Sequence, residues 1–454
     1  MPRVIPCLSV VLTVSLGLLS FRPGPHWQAS SAEAGQGLRI STWYWLNSTS
    51  SDRWEADFHR IAEAGFTDVV LCWGLHSDGV LLQKEATRRA LDWCAKAGLG
   101  GYLLVWHPTA NGLSRRPEYQ QVDNHGNRLF SFNLYHPGWR ATQWKDYLQS
   151  VARTYREHPA LAGYLFDDTF MPGRIGSFRG ATAGDFVSYA AGDAERFRRW
   201  LQSRYQSLER LQKAWGTRFA NWADIRLPRK IEAGASAAWA DWCAARAEWL
   251  EAWALDTVRL LREVDGDPRH EIYLEDTRFA LGMDSRQSQD SHRPITVSDT
   301  VGLDFGRVAR RFDAVCGYTF FRWEGPNALS AALEATTKTL TYTRERVSDH
   351  PKLIYTFWVS DADLDKPLPL TSPTAEQIIA VAEAALGLGL RHVDYYGYRI
   401  GDWRTDEDEW ERLRPISGRP YPLTRPLQGR FLCDRPEVMR ALKTEHLRLK
   451  QRYR

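Results

Sequence analysis

Acidic side chains stand at the ends of several predicted β-strands. Asp167 and Asp168 come directly after the fourth strand, Glu275 after the fifth and Glu324 after the sixth. Two carboxyl groups on either side of a bond can act as proton donor and as base or nucleophile, which is the chemistry that cleaves a glycosidic bond. These four residues are therefore the catalytic candidates.

Each of these carboxylates also has a structural interpretation. Asp168 can cap a loop or only bind substrate, and Asp167 can be an internal partner, because adjacent strand residues point to opposite faces. Glu275 can form a salt bridge with Arg278, which follows closely in the chain. Glu324 can be an ordinary solvated loop carboxylate. The residue types alone leave these alternatives open.

Aromatic side chains crowd the same strand ends, in a chain with 20 Trp and 18 Tyr. Flat aromatic faces pack against the C–H faces of sugar rings, although packing in the core is the usual role of such residues. We predict a sugar-binding pocket at the strand ends. Its predicted substrate-binding residues are Trp43, Trp45, Trp73, Trp106, His107, Trp358, Asp361 and Tyr396.

Short apolar strands alternate with longer amphipathic stretches, which predicts βα units and a parallel sheet. Eight such strands close a barrel, whose catalytic groups lie at the C-terminal ends of the strands. The predicted fold class is thus α/β, a (β/α)8 TIM barrel in a single large domain. The predicted strands are Leu38–Leu46, Thr67–Trp73, Gly101–Trp106, Ala162–Phe166, Glu271–Leu274, Ala314–Phe320, Lys352–Trp358 and His392–Tyr396.

The segments outside the strands define the domain organisation. Residues 1–34 combine an early arginine, an apolar run and a small-x-small end, which predicts a signal peptide and export; a retained N-terminal membrane anchor is the alternative. The barrel is expected over residues 35–435, and the basic stretch 436–454 is expected as a solvated helix or tail. The long connection Pro108–Gly138 should lie over the mouth of the barrel.

Charge and cysteine content exclude several classes of partner. The chain carries 59 Lys and Arg against 55 Asp and Glu, a net charge of +4 without a basic cluster, so we expect no nucleic-acid partner. The cysteines are widely spaced and form no C-x-x-C pair, which predicts neither a zinc site nor a disulfide framework. We expect no metal and no cofactor. The oligomeric state is left open.

Four stretches carry a resemblance to a known family. They are WEADFHRIAEAGFTDVVLCW (Trp54–Trp73), VDNHGNRLFSFNLYHPGWR with the later HPALAGYLFDDTF (Val122–Arg140 and His158–Phe170), FRRWLQSRYQSLERLQKAWGTRF (Phe197–Phe219), and the region Pro351–Tyr396. In this order they resemble the family 42 glycoside hydrolases, the β-galactosidases of the clan A barrels. The resemblance implies a TIM barrel with a carbohydrate substrate.

Both catalytic glutamates of that family are replaced in this sequence. The family pattern G-W-Q-I-D-N-E at the fourth strand aligns with Gly163–Thr169, so that Thr169 stands in the position of the acid/base glutamate. The family pattern L-L-M-E-Q at the seventh strand places Thr356 in the position of the nucleophile. Because a threonine hydroxyl cannot replace either carboxylate, the sequence predicts an atypical carboxylate pair.

The sequence therefore favours a secreted protein that acts on, or binds, a glycan at the C-terminal mouth of a TIM barrel, with hydrolysis of an O-glycosyl bond as the leading hypothesis. One alternative is a catalytically inactive barrel that binds saccharide. Another is a non-hydrolytic sugar-modifying enzyme that uses Tyr or His as base.

Overall fold

The barrel consists of eight parallel strands that close on themselves. The computed structural model describes residues 37–73, 79–105, 117–126, 128–134, 136–167, 188–228, 236–275, 305–319, 323, 325–347, 352–359, 372–400 and 431–453. Neighbouring strands follow the cyclic order β1-β2-β3-β6-β7-β8-β9-β10. The barrel strands are β1 Arg39–Trp45, β2 Asp68–Cys72, β3 Gly100–Leu104, β6 Leu161–Asp167, β7 Glu271–Glu275, β8 Ala314–Thr319, β9 Leu353–Trp358 and β10 His392–Arg399. The predicted TIM barrel is confirmed.

The connection after β3 contains structure of its own. A two-stranded antiparallel hairpin, β4 Gln120–Val122 and β5 Arg128–Phe132, lies within the stretch that we expected only as a long loop. The backbone of Tyr189 extends it, because its N–H donates to the Val122 carbonyl at 3.0 Å. The hairpin is therefore tied to the segment that follows β6.

Helices cover the outside of the barrel. The pattern of Ala194–Trp215 predicts a single helix, but a left-handed residue, Gln206, divides this stretch, and the Ser207 side chain caps the second half. The helices are α1 Trp54–Glu63, α2 Gly79–Leu82, α3 Lys84–Ala97, α4 Pro137–Trp139, α5 Lys145–Tyr155, α6 Ala191–Tyr205, α7 Leu208–Trp215, α8 Ala237–Asp265, α9 Phe305–Ala309, α10 Ala328–Arg346, α11 Ala375–Gly387 and α12 Pro436–Arg452, with a π-helical turn at Arg140–Trp144. No helix among the described residues is both long and apolar enough to cross a membrane.

Alternate strand residues face two separate cores, as the period of a β-strand requires. One core fills the inside of the barrel, with Val70, Tyr102 and Leu165 among its members. The other lies between the strands and the helices, where Trp144 stacks between Trp139 at 5.2 Å and Trp253 at 5.7 Å. Large aromatic side chains in this outer layer serve packing, as the composition led us to expect for most of them.

A charged network closes the N-terminal end of the barrel. Arg39 binds Asp68 at 2.5 Å and Glu271 at 3.1 Å, and Lys352 also forms an ion pair with Glu271. The Tyr102 hydroxyl donates to Glu271 at 2.6 Å. These contacts lie at the end of the barrel opposite the strand ends where the candidate site was predicted, so they serve the fold.

Glycine allows one close approach between strands. A Cβ at Gly163 of β6 would lie 2.0 Å from the Glu271 carbonyl oxygen, and β6 has an irregular register with β3 at this point. Any larger residue would push β6 away from β7. Gly163 thus lets the N-terminal part of β6 lie close beside the start of β7.

The C-terminal helix α12 packs on the barrel, whereas the sequence led us to expect a solvated helix or tail. Val438, Leu442 and Leu449 are buried, and α12 contacts α11. His446 is completely buried and bonds to the Ala64 carbonyl at 2.8 Å and to the Tyr395 hydroxyl at 3.1 Å. One face of this basic helix is therefore part of the outer core.

The buried His446 makes stability depend on pH. Burial lowers the pKa of its imidazole to about 3, so the unfolded chain takes up the proton first and the folded state loses stability as pH falls below about 6.5. We expect His446 to account for about 2 kcal/mol of lost unfolding free energy between pH 6.5 and 5. Urea titrations at pH 7.5 and 5 should show a smaller loss for His446→Phe than for the wild type.

His59→Gln is the matched control, because His59 is exposed on α1 and should leave the pH dependence unchanged. A His446→Phe protein that loses as much stability as the wild type would contradict the assignment. The buried His392, whose pKa burial lowers to about 4, is present in all of these proteins and cancels in the comparison.

Cysteines contribute to packing in the described part of the chain. Cys72, Cys94 and Cys316 are buried, Cys243 and Cys433 are partly buried, and none of these five forms a disulfide. The burial of Cys72, Cys94 and Cys316 agrees with the interpretation of the cysteines as small apolar residues.

Candidate active site

Aromatic rings form a layer inside the C-terminal end of the barrel. Tyr396 stacks on Trp358 with ring centroids 4.6 Å apart, and Trp43 lies against the other side of the cluster, 4.7 Å from Tyr396. The Trp358 indole also donates to the Tyr318 hydroxyl. Trp45 belongs to the same interior core. Four of the predicted substrate-binding residues, Trp43, Trp45, Trp358 and Tyr396, are thus brought together.

These rings differ in how much of each remains accessible. The exposed fraction is 9% for Tyr396 and 4% for Trp358, but only 1% for Trp43. Trp323 donates to the Trp358 carbonyl at 3.3 Å, but its ring belongs to the outer core. Trp358 and Tyr396 form the outer face of the layer, and Trp43 supports them from within.

Trp73 lies elsewhere. Its ring packs in the outer core against Trp54, and its indole nitrogen donates to Thr87 of α3 at 3.0 Å. Side chains alternate along a strand between the inside of the barrel and the surrounding helices, and Trp73 is on the side of the helices. The structure does not bring Trp73 together with the interior rings.

A polar layer lies directly beneath the aromatic layer. Glu275, at the end of β7, is completely buried, and its Oε2 is 3.4 Å from the Thr356 hydroxyl of β9. The same hydroxyl donates to Asp394 of β10 at 3.0 Å. The Cys316 sulfur lies 2.8 Å from Thr356 Oγ1. Thr356 therefore stands between two buried carboxylates, and its single proton can serve only one of them at a time.

Asp394 is a functional candidate that sequence reasoning missed. Its carboxylate accepts from the Ser41 hydroxyl at 2.5 Å and from the Trp43 indole at 2.6 Å, in addition to Thr356. Burial raises the pKa of Asp394 to about 6, although these three donors favour the charged form. The available signal was an acidic residue in the middle of an apolar strand, which is costly unless donors surround it.

Tyr273 completes the polar layer. Burial, together with the neighbouring Asp394 and Glu275, raises the pKa of its phenol well above the usual value. At neutral pH this hydroxyl stays protonated and can only donate or accept a hydrogen bond.

The end of β6 lies beside the end of β7. Asp167 pairs in register with Glu275, so the fourth and fifth barrel strands end at the same level. The other predicted site residues lie outside the described residues. They are Asp168, Thr169, Glu324, Trp106, His107 and Asp361.

Metal ligands do not converge in the part of the chain that the structure describes. No group of three or more His, Cys, Asp or Glu side chains there has a geometry that could hold a metal ion. The polar layer offers two carboxylates, a hydroxyl and a thiol that already bond to one another. Its described chemistry is that of hydrogen bonds and proton sharing.

The comparison with protein families agrees with the barrel fold. Residues 109–273 match the model of glycoside hydrolase family 42, described as β-galactosidase. The chain is a family 42-like TIM barrel. A β-galactosidase of a Thermus species is 27% identical over 197 residues, 39% of this chain and 28% of that protein. The β-galactosidase of Thermus thermophilus is 26% identical over 207 residues, 41% of this chain and 30% of that protein.

Solved structures show the same fold over a longer part of the chain. The β-galactosidase of a psychrophilic Marinomonas has a TM-score of 0.63 at 15% identity, covering 91% of this chain and 60% of that one. The β-galactosidase of Halorubrum lacusprofundi gives 0.64 at 16% identity, covering 91% and 58%. The resemblance to family 42 is confirmed, and the matched regions span about a third or less of the sequence relatives and about 60% of these structures.

Proposed function

We propose that this protein is a glycoside hydrolase that binds a β-galactoside-containing glycan at the C-terminal mouth of its barrel. Asp168 is the proposed proton donor and Glu275 the second carboxylate, with Asp167 and Glu324 as the remaining candidates. The family resemblance supports a carbohydrate as the substrate, since its relatives are named β-galactosidases. Fold alone does not establish the activity.

The observation that carries this proposal is the arrangement of two layers in the barrel mouth. Trp358 and Tyr396 present stacked rings, and Glu275 lies in the interior layer beneath them on the strand next to Asp167. Apolar rings with a few converging polar groups are typical of saccharide pockets. A carboxylate beneath such rings supports a role for Glu275 at the sugar-binding site.

Thr356 favours a second candidate function, a saccharide-binding barrel without catalysis. Its hydroxyl, in the position that the family resemblance assigns to the nucleophile, bonds to Asp394, and both Glu275 and Asp394 are completely buried. A threonine cannot form the glycosyl ester that a carboxylate forms. Binding could then be retained while turnover is lost.

One experiment separates these functions. Calorimetry and product analysis should be run in parallel with lactose, β-1,4-galacto-oligosaccharides and 4-nitrophenyl β-D-galactoside, with cellobiose as the non-galactoside control. Binding with release of galactose supports the hydrolase, and binding without product supports the inactive barrel. A protein that neither binds nor cleaves any galactoside would overturn the proposal.

Trp358 should contribute to affinity for the sugar. Trp358→Phe keeps a ring but reduces the stacking face, and a loss of about 1 kcal/mol corresponds to roughly fivefold weaker binding of the best galactoside. Isothermal calorimetry measures this change. Trp144→Phe is the matched control, because it also removes a buried indole hydrogen bond, to Thr257 at 2.9 Å, but in the outer core. Equal affinity of both variants and the wild type would contradict a binding role.

Export is a further proposal, based on the pattern of residues 1–34. Expressed in a bacterial host with its full leader, the mature protein should begin near Gly35. N-terminal sequencing of the protein from the periplasm or medium tests this. Recovery of a protein that still begins at Met1 would count against cleavage, and a membrane-bound form would favour the anchor.

A further inference from the structure

The carboxylate of Asp394 is a junction of three hydrogen bonds inside the barrel. Ser41 donates to Oδ1 at 2.5 Å, and the Trp43 indole and the Thr356 hydroxyl donate to Oδ2 at 2.6 and 3.0 Å. The side chain has no exposed surface, so these donors replace water completely. Charge-assisted bonds of this kind are short and directional.

The hydrogen bond from the Trp43 indole to Asp394 holds the buried side of the aromatic layer. The Trp43 ring, held at its nitrogen by Asp394, contacts the Tyr396 ring at 4.7 Å, and Tyr396 in turn stacks on Trp358 at 4.6 Å. Trp43 is almost completely buried, whereas Tyr396 retains some exposed surface. Trp43 is therefore a support for the rings that a sugar would meet.

A second bond reaches the polar layer. The Thr356 hydroxyl lies 3.0 Å from the Asp394 carboxylate and 3.4 Å from that of Glu275, so it donates to Asp394. With its proton committed to Asp394, the Thr356 hydroxyl is held in one orientation and donates no hydrogen bond to Glu275, whose carboxylate lies beside it. The same junction thus borders both parts of the candidate site.

We propose that Asp394 is a positioning residue that sets the orientation of the Trp43–Tyr396–Trp358 rings and of the Thr356 hydroxyl. Its effect on sugar affinity rests on the proposed function; its effect on the rings does not. Asp394 acts through its neighbours and is not itself a catalytic residue.

Two substitutions distinguish this role from simple burial. Asp394→Leu keeps the branched shape of the side chain, with bulkier methyl groups, but removes every acceptor. Asp394→Asn can direct its amide nitrogen to Ser41, whose hydroxyl can accept, and keep its oxygen for Trp43 and Thr356. We therefore expect Leu to release the Trp43 indole and Asn to retain it. Ser41→Ala is the matched control, because it removes a bond to the same carboxylate without touching Trp43.

The spectroscopic test needs no ligand. Indole ¹⁵N–¹H resonances of Trp43 and Trp358, assigned with Trp43→Phe and Trp358→Phe, should both move in Asp394→Leu and stay near their wild-type positions in Asp394→Asn and Ser41→Ala. Movement of Trp358, which does not contact Asp394, is the sign of positioning. Unchanged resonances in Asp394→Leu would overturn the proposal even if the protein cleaves galactosides.

The functional test uses 4-nitrophenyl β-D-galactoside. We expect KM to rise about tenfold in Asp394→Leu, with less than a threefold change in Asp394→Asn and Ser41→Ala. Should Asp394→Leu fail to fold, Trp43→Phe removes the same bond and should give the same rise in KM. A wild-type KM in either folded variant would refute the positioning role. If the wild-type protein has no activity, the proposed function is refuted, and the resonance test alone decides whether Asp394 positions the rings.

Discussion

Asp168→Asn is expected to lower turnover of the cleaved galactoside by at least about 100-fold while leaving its binding almost unchanged. The substitution keeps the shape and most of the hydrogen bonding of the side chain but removes the transferable proton. Asp168 follows Asp167, which ends β6 in register with Glu275, so the chain leaves the fourth strand beside the second carboxylate. The measurement is kcat and KM together with calorimetric affinity.

Asp92→Asn is a matched control for this change. Asp92 lies on α3 with its side chain largely exposed, so the same chemical change there should leave kcat within twofold. An Asp168→Asn protein with full activity on the same galactoside would eliminate the assignment. Glu275→Gln and Glu324→Gln would then become the variants to test for the missing proton donor.

Glu271→Gln should destabilise the fold by about 3 kcal/mol at pH 7, because it leaves Arg39 and Lys352 close together without the carboxylate that both contact. Those cations hold the pKa of Glu271 down, to about 2, against the opposing effect of burial. Since the folded pKa lies below the unfolded value of about 4.5, this stabilisation is present above pH 4.5 and is lost as pH falls toward 2. Denaturant titration at pH 7 and pH 3 measures both effects.

A surface pair provides the comparison for Glu271. Glu263 binds Arg259 one helical turn away, and both side chains are well exposed, so Glu263→Gln should cost less than about 0.5 kcal/mol. If Glu271→Gln costs no more than Glu263→Gln at pH 7, the charged network does not stabilise the barrel. The difference between the variants should also shrink at pH 3, because Glu271 is then protonated in the unfolded chain but still mostly charged in the folded state.

The strands were predictable because short apolar runs of strand length alternate with longer amphipathic stretches in the sequence. All eight predicted strands are present, with bounds shifted by at most a few residues: β10, for example, runs to Arg399 where we predicted an end at Tyr396. Irregular local conformations were not predictable in this way. The positive φ of Gln206 divides one predicted helix in two, although glutamine carries no turn signal.

The polar inside of the barrel escaped prediction for a different reason. Asp394 and Ser41 lie on different strands 353 positions apart, and only closure of the barrel brings them within 2.5 Å. Trp43 and Trp73 were both predicted in one pocket. Side chains alternate between two cores along each strand, however, and Trp43 lies in the interior core whereas Trp73 lies in the outer core. Chemistry at strand ends was predictable; which side each ring faces was not.

Closure of the barrel through β1 and β10 also bears on how the chain is made. The strand β1 pairs with β2 within about 25 residues, but its other edge finds its partner only when β10 has been synthesised, about 350 residues later. At roughly 5–20 residues per second, that edge stays open for about 20 to 70 seconds on the ribosome. Open edges recruit other chains. Strong overexpression should therefore produce aggregates of nascent chains. Slower translation of the early part of the message should not reduce this aggregation, because the open edge of β1 pairs only with β10.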